Sequence, residues 1–297
     1  MSASTLKIFA IASFGIAILA TLTVFIISKN EPVLEPVIEP EITVPETKPF
    51  VSSSTIGVSV EGRNIEMYSF GDGEESILFV GGIHGGYEWN SIVLAYDMID
   101  QFSSDESLVP EGITVRIIPN LNPDGLAIVT NKTGRIFESD IPDPSNRVAA
   151  GRFNANNVDL NRNFACKWAP ESTWRGEVVS AGTQAFSEPE AQALKNVVEN
   201  ISPKAVIFWH SQANNVYASE CENGVLPETL DIMSIYAQAG GYGEVPVFDA
   251  YPITGDAEGW LASLGIPAIT VELGSYQSTE WNQNLAGVKS ILNKYGK

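Results

Sequence analysis

Four short apolar runs in this chain each deliver a polar cluster, and that pattern limits the fold more than any other feature. Ile-Leu-Phe-Val-Gly-Gly-Ile leads into His84, and Val-Arg-Ile-Ile-Pro leads into Asn120–Asp124. Val-Ile-Phe-Trp leads into His210, and Ala-Ile-Thr-Val closes on Glu272. Runs this short, rich in β-branched residues and without strict alternation, read as strands buried on both faces. Strands are expected at 55–70, 76–82, 114–119, 205–209 and 268–273. Helical patterns fall between them at 90–102, 188–200, 227–239 and 281–295. The first of these carries Ile92, Val93, Tyr96, Met98 and Ile99, and the second has Pro189 in its first turn. Strands separated by helices imply an α/β domain whose central sheet is flanked by helices. In open sheets of this kind ligands gather at the carboxyl ends of the strands, where all four polar clusters fall. The segment 125–158, rich in Asn, Gly and Pro, is long and irregular, a common trait of functional loops.

The chain holds only two histidines. A lone histidine on an apolar strand is ordinarily a satisfied core residue. Here both lie at strand ends, and Glu88 follows His84 at a distance of four, so His84, Glu88 and His210 are candidate ligands for one zinc ion. A catalytic zinc takes about three protein ligands and leaves one position for water. A further carboxylate must then accept the water's proton. Glu272 is the candidate, since a charged residue at the end of a buried strand is costly unless used or paired. The competing reading for Glu272 is a salt bridge at a strand end.

Residues 8–28 are 21 uncharged, mostly apolar residues between Lys7 and Lys29, long enough to span a bilayer as a helix. The run lacks a good small-residue cleavage site, so the expectation is an uncleaved anchor. The organisation expected is a cytoplasmic tail over 1–7, a transmembrane anchor over 8–28, a stiff Glu/Pro-rich linker over 29–51 and a catalytic domain over 52–297. Lys7 before the run and glutamates after it place the domain outside the cytoplasm. The formal charge of −19 disfavours nucleic acid as a partner. It suits a cationic or zwitterionic ligand, or serves solubility alone. Outside the cytoplasm Cys166 and Cys221 could pair, or remain two separate buried thiols.

The motifs carry a specific resemblance. His84…Glu88, Asn122-Pro123-Asp124-Gly125, the stretch Arg152 to Phe164 with Asp159, Asn161 and Arg162, His210-Ser211, Tyr251 with Thr254-Gly255-Asp256, and Thr270-Val271-Glu272-Leu273-Gly274 follow in the order of the zinc carboxypeptidase family. The chain resembles that family over roughly 55–297, and its bacterial cell-wall branch, which includes murein peptide amidases, most of all. The resemblance implies a single α/β domain with a mixed, mostly parallel sheet and one Zn2+ per chain on His84, Glu88 and His210. It implies Asp159 orienting the first histidine, Arg152 polarising the scissile carbonyl, and Asn161 with Arg162 gripping a terminal carboxylate. Tyr251 would cap the bound terminal residue and Glu272 would act as general base. Glu258, seven residues after Tyr251, would line the floor of the terminal side-chain pocket and favour a basic or diaminopimelate group. The competing reading of Glu258 is a solvated glutamate at a helix start.

One departure stands out. The family usually places two residues between its first histidine and glutamate, and here Gly85, Gly86 and Tyr87 intervene; the two glycines are expected to absorb the extra residue. The implied partner is a peptide with a free carboxylate, a peptidoglycan stem peptide among them. The alternatives are an N-acyl amino acid deacylase of the aspartoacylase-like type and a non-catalytic tethered binding module.

Overall fold

The computed structural model describes residues 50–296. The run 8–28 expected as an anchor, and nearly all of the linker, lie outside the described residues. Among the described residues no helix is long and apolar enough to cross a membrane.

The chain begins with an antiparallel hairpin, β1 (Val51–Val58) and β2 (Asn64–Phe70), followed by β3 (Glu75–Val80). A single strand was expected over 55–70. The break comes at Ser59–Arg63, where Ser59 N donates to Arg63 O at 2.8 Å. Helix α1 (Trp89–Ser104), strand β4 (Ile113–Ile118) and helix α2 (Pro123–Thr130) follow. Next come a small ribbon, β5 (Glu171–Trp174) with β6 (Glu177–Ser180), and helix α3 (Pro189–Ile201). Strands β7 (Ala205–Ser211) and β8 (Asn215–Ala218) are followed by a two-residue pair, β9 (Glu220–Cys221) and β10 (Gly224–Val225). The chain closes with α4 (Pro227–Gly240), β11 (Gly243–Val245), α5 (Ala257–Ser263), β12 (Ala268–Leu273) and α6 (Trp281–Tyr295).

Eight strands form one mixed sheet in the order β1-β2-β4-β3-β7-β12-β8-β11. The centre, β4-β3-β7-β12, is parallel, whereas the hairpin and the β12–β8 pairing are antiparallel. Every residue of β7 is buried, as expected for a strand covered on both faces. Its side chains alternate between two apolar layers. Ile207 and Trp209 join the layer built with α1, α4 and α6. Val206 and Phe208 join the layer built with α3 and α5. The same alternation carries His210 to the α3/α5 face, one step beyond Phe208. Strand β12 follows suit: Ile269, Val271 and Leu273 enter the first layer, leaving Thr270 and Glu272 on the other face. The parallel register sets Glu272 directly beside His210.

The short helices α2 and α5 and the short strands β8 and β11 were not expected. Each is too brief to show a period. Local capping explains two of them. Asn122 Oδ1 accepts from Gly125 N at 2.8 Å to start α2, and Asp256 Oδ2 accepts from Gly259 N at 2.7 Å to start α5. Cys166 and Cys221 form a disulfide with Cα atoms 6.1 Å apart, which settles the question left open by the sequence.

Candidate active site

His84 leaves the carboxyl end of β3 and begins a 3-10 turn over Gly85–Glu88, in which Tyr87 N donates to His84 O at 3.1 Å. Gly85 takes φ +47°, and a Cβ there would stand 2.7 Å from the Gly151 carbonyl oxygen. Only glycine fits, so the extra residue between His84 and Glu88 is taken up in this turn. As a result one donor atom each from His84, Glu88 and His210 lies within 4.8 Å of the others, and all three residues are buried. Two ring nitrogens, His84 Nδ1 and His210 Nε2, are sealed from solvent with no hydrogen-bond partner among the described residues. Buried orphan nitrogens beside a carboxylate are what a zinc ion satisfies, so this donor set fits the metal.

Carboxylates and arginines surround the triad. Glu88 Oε2 lies 3.1 Å from His210 Nδ1 and accepts from Ser211 N at 3.2 Å. Its Oε1 is 3.5 Å from Arg147 and 3.7 Å from Arg152. Burial alone would raise Glu88, but the charge of His84, the His210 hydrogen bond and charge, and Arg152 hold it down at about 2. Burial, reinforced by Arg152, keeps His84 well below the usual histidine range. Burial would also lower His210, yet its contacts with Glu258 and Glu88 carry it up to about 10.

Asp159, fully buried, is shared between two functional groups. Its Oδ2 accepts from Arg152 Nε at 2.9 Å and lies 2.8 Å from Nη2, while Oδ1 stands 3.5 Å from His84 Nδ1. The main hold of Asp159 is therefore on Arg152, a contact the sequence did not disclose. The Asn122 motif serves the same arginine, since Asn122 Nδ2 donates to Arg152 O at 3.2 Å. The Arg152 guanidinium also lies 4.9 Å from the Trp174 ring.

Asn161 Oδ1 accepts from Ala257 N at 2.8 Å, which assigns its amide oxygen to the protein. Arg162 donates from Nε to Ser172 Oγ at 3.1 Å and from Nη1 to Asn161 O at 2.6 Å. Gly255, at φ +68°, packs so closely on this segment that a Cβ would fall 2.1 Å from Arg162 O. Tyr251 is half exposed and meets Phe248 edge-on, with ring centroids 4.8 Å apart. Glu258 occupies the first turn of α5, but it is buried rather than solvated. It accepts from Thr270 Oγ1 at 2.9 Å and its Oε1 lies 3.2 Å from His210 Nε2, off the line a hydrogen bond needs. Glu272 has one oxygen, Oε2, buried without a partner. Burial first and then the charge of Glu88 push its carboxyl up to about 7.

Of the site residues expected from the sequence, all but Asp159 line one cleft of about 680 Å³. Arg147, Arg175, Trp174, Tyr87 and Tyr276 line it too, and sequence reasoning named none of them as site residues. The one available signal for Arg147 was its place in the irregular segment 125–158.

Known proteins place this arrangement. The zinc carboxypeptidase family model matches residues 43–282. Over 247 residues the chain is 24% identical to gamma-D-glutamyl-L-diamino acid endopeptidase 1 of Lysinibacillus sphaericus, covering 76% of this chain and 61% of that protein. It is 33% identical over 141 residues to murein peptide amidase A of Escherichia coli K12, covering 43% of this chain and 54% of that one. The chain thus spans less than two thirds of the length of these relatives. The crystal structure of murein-tripeptide amidase MpaA from Escherichia coli O157 shares the fold, with a TM-score of 0.59 at 23% identity over 84% of this chain and 93% of that one. A match across most of its length, on a fold that gathers two histidines and a glutamate in one cleft, shows that the chain belongs to the zinc carboxypeptidase family of peptide hydrolases.

Proposed function

We propose that this enzyme hydrolyses the peptide bond next to a free terminal carboxylate, on cell-wall peptides whose terminal residue is basic or a diamino acid. The observation that carries the reading is the placement of Glu272 beside His210 in register, with Arg152 and Arg162 in the same cleft. Zinc, held by His84, Glu88 and His210, would supply Lewis acidity toward a water molecule and the scissile carbonyl. Glu272 takes the proton from the attacking water and hands it to the leaving amine nitrogen; a carboxyl raised toward 7 suits both transfers. Arg152, fixed by Asp159, stabilises the charge that develops on the carbonyl oxygen. Arg162 and the amide nitrogen of Asn161 hold the terminal carboxylate, for which a guanidinium fork is the natural partner. Tyr251, exposed on its loop, closes over the terminal residue. Asp256 and Glu258 line the same cleft and supply the negative charge that a basic side chain would meet.

The cell-wall preference is supported by what the relatives' names state: one acts on gamma-D-glutamyl-diamino acid linkages and the other on murein peptides. Anchoring by residues 8–28, with the catalytic domain outside the cytoplasm, is supported by the 21-residue uncharged run and by the disulfide. The test uses residues 50–297 with peptides ending in Lys, Arg, Phe and meso-diaminopimelate, and counts zinc per chain. Release favouring the basic and diamino termini supports the reading; release favouring Phe overturns the pocket assignment. Cleavage of small N-acyl amino acids in place of peptides would support the deacylase alternative. For the anchor, the full chain should sediment with membranes and be open to protease added from outside.

A further inference from the structure

Four of the chain's seven arginines, Arg147, Arg152, Arg162 and Arg175, line the cleft around the metal-ligand triad, and no lysine does. Glu88, Asp256, Glu258 and Glu272 line the same cleft, so in a chain of net charge −19 the four guanidiniums are local anion-binding points within a site of mixed charge. The peptidase reading employs Arg152 and Arg162 and leaves Arg147 and Arg175 without a task; of these, Arg147 is the one tied to backbone beside Glu88.

Arg147 is held as a recognition group is held. Its Nη2 donates to Ser211 O at 2.8 Å and its Nε to Tyr87 O at 3.4 Å, so one edge of the fork is tied to backbone carbonyls. The guanidinium lies 3.7 Å from the Tyr87 ring centroid and 5.1 Å from that of Tyr276, which fixes its plane. Nη1 has no partner among the described residues, and the residue lines the cleft. The nearest carboxylate, Glu88 Oε1, is 3.5 Å from Nη2, and Glu88 is already engaged by His210 and Ser211. The Glu88 pairing is long and uses Nη2 alone, so Nη1 of Arg147 is left facing the cleft.

Contacts give its position along the cleft. Arg147 meets Glu88, Glu88 meets Arg152, Arg152 meets Asp159, Asp159 meets Asn161, and Asn161 meets Arg162. Arg147 and Arg162 share no partner: Arg147 lies against Tyr87, Ser211 and Tyr276 on the Glu88 side, and Arg162 lies against Asn161 and Ser172 beyond Asp159. If Arg162 takes the carboxylate on the amine side of the scissile bond, Arg147 faces the acyl side.

We propose that Arg147 recognises a second substrate carboxylate, carried by the residue that donates the scissile carbonyl. This rests on the peptidase reading above. Two sources share that chemistry: the side chain of an ordinary α-linked acidic residue, and the free α-carboxylate of a glutamyl residue linked through its γ-carbonyl. The enzyme is then selective at both ends, for a dianionic peptide framework.

The test compares four peptides with one common terminal residue: γ-linked D-glutamyl and its α-carboxamide, and α-linked L-glutamyl and its glutaminyl counterpart. The expected result is a preference of roughly 10- to 100-fold in kcat/KM for the acid over its amide in one linkage, which identifies the source. Arg147→Gln should bring that ratio close to one, chiefly through KM, while Arg147→Lys restores part of it as a point charge. Zinc content and melting temperature of each variant show whether it is folded. Binding of the same peptides to zinc-loaded Glu272→Gln protein, by calorimetry, reads the preference without turnover. Tighter binding of the acid with no cleavage by the native enzyme upholds Arg147 and rejects the hydrolytic reading. Equal binding of acid and amide in both linkages, or a preference that survives Arg147→Gln, overturns the proposal.

Discussion

At the residue scale, Glu272 and Asp159 make the sharpest predictions. Glu272→Gln keeps the shape of the site and removes the base, so kcat should fall by roughly 10²–10⁴-fold with zinc still near one per chain by elemental analysis. The same variant tests the raised pKa. A carboxyl shifted from 4.5 up to about 7 binds its proton more tightly when folded, so its favourable contribution is complete below 4.5 and is lost as pH rises through 7. In chelator-treated protein, Glu272→Gln should therefore match the wild type at pH 4 and exceed it at pH 8, by about 3 kcal/mol at most. Thermal melts at the two pH values decide this, and a variant weaker at pH 8 contradicts the assigned environment. Asp159→Asn weakens the fork that fixes Arg152 and the support beside His84. Activity should drop, and zinc affinity should weaken by about 10–100-fold in a chelator competition. The histidines, Glu88 and Glu272 were legible because the chain has just two histidines and each candidate ends an apolar run. The double duty of Asp159 and the placement of Arg147 were not. Both depend on contacts across a loop that has no period to read.

At the scale of elements, the long apolar strands and amphipathic helices emerged from the sequence within a few residues of their ends. Pro189 and Pro227 each start a helix, α3 and α4, as their fixed φ favours. The failures share a cause: β8, β11, α2 and α5 are defined by pairing or by one capping side chain rather than by a repeat. The hairpin taken for one strand contains a turn whose Ser59 and Glu61 groups bond to Asp124, 65 and 63 positions away. The extra residue in the His84–Glu88 turn was legible together with its remedy, since Gly85 does adopt a left-handed conformation. Gly85→Ala should cost about 1–3 kcal/mol through strain and the clash with Gly151, and should lower zinc occupancy as the turn shifts. Denaturant unfolding with parallel metal analysis checks it. Unchanged occupancy in a folded variant would mean that the turn tolerates a side chain.

At the scale of the whole molecule, sheet and helices supply a rigid floor, and the disulfide secures one wall of the cleft above it. Cys166 and Cys221 are 55 positions apart, and a loop of that length corresponds to about 4 kcal/mol of unfolded-state entropy. Reduction should lower the melting temperature accordingly, and Cys166→Ser with Cys221→Ser should reproduce the effect. What the bond secures is specific. Phe164 N donates to Gly255 O at 2.9 Å and Gly255 N to Cys166 O at 2.7 Å, so the cystine, the Arg162 segment and the Tyr251–Asp256 loop are stitched together. His84 and Glu88 sit on the 3-10 turn between β3 and α1, and His210 and Glu272 on β7 and β12, so none of the four belongs to that seam. Steady-state kinetics under mild reductant should accordingly show KM rising while kcat and zinc content hold. That split would couple redox state to substrate capture and leave bond cleavage apart from it: a reduced copy would keep its hydrolytic centre and lose part of its grip, which oxidation restores.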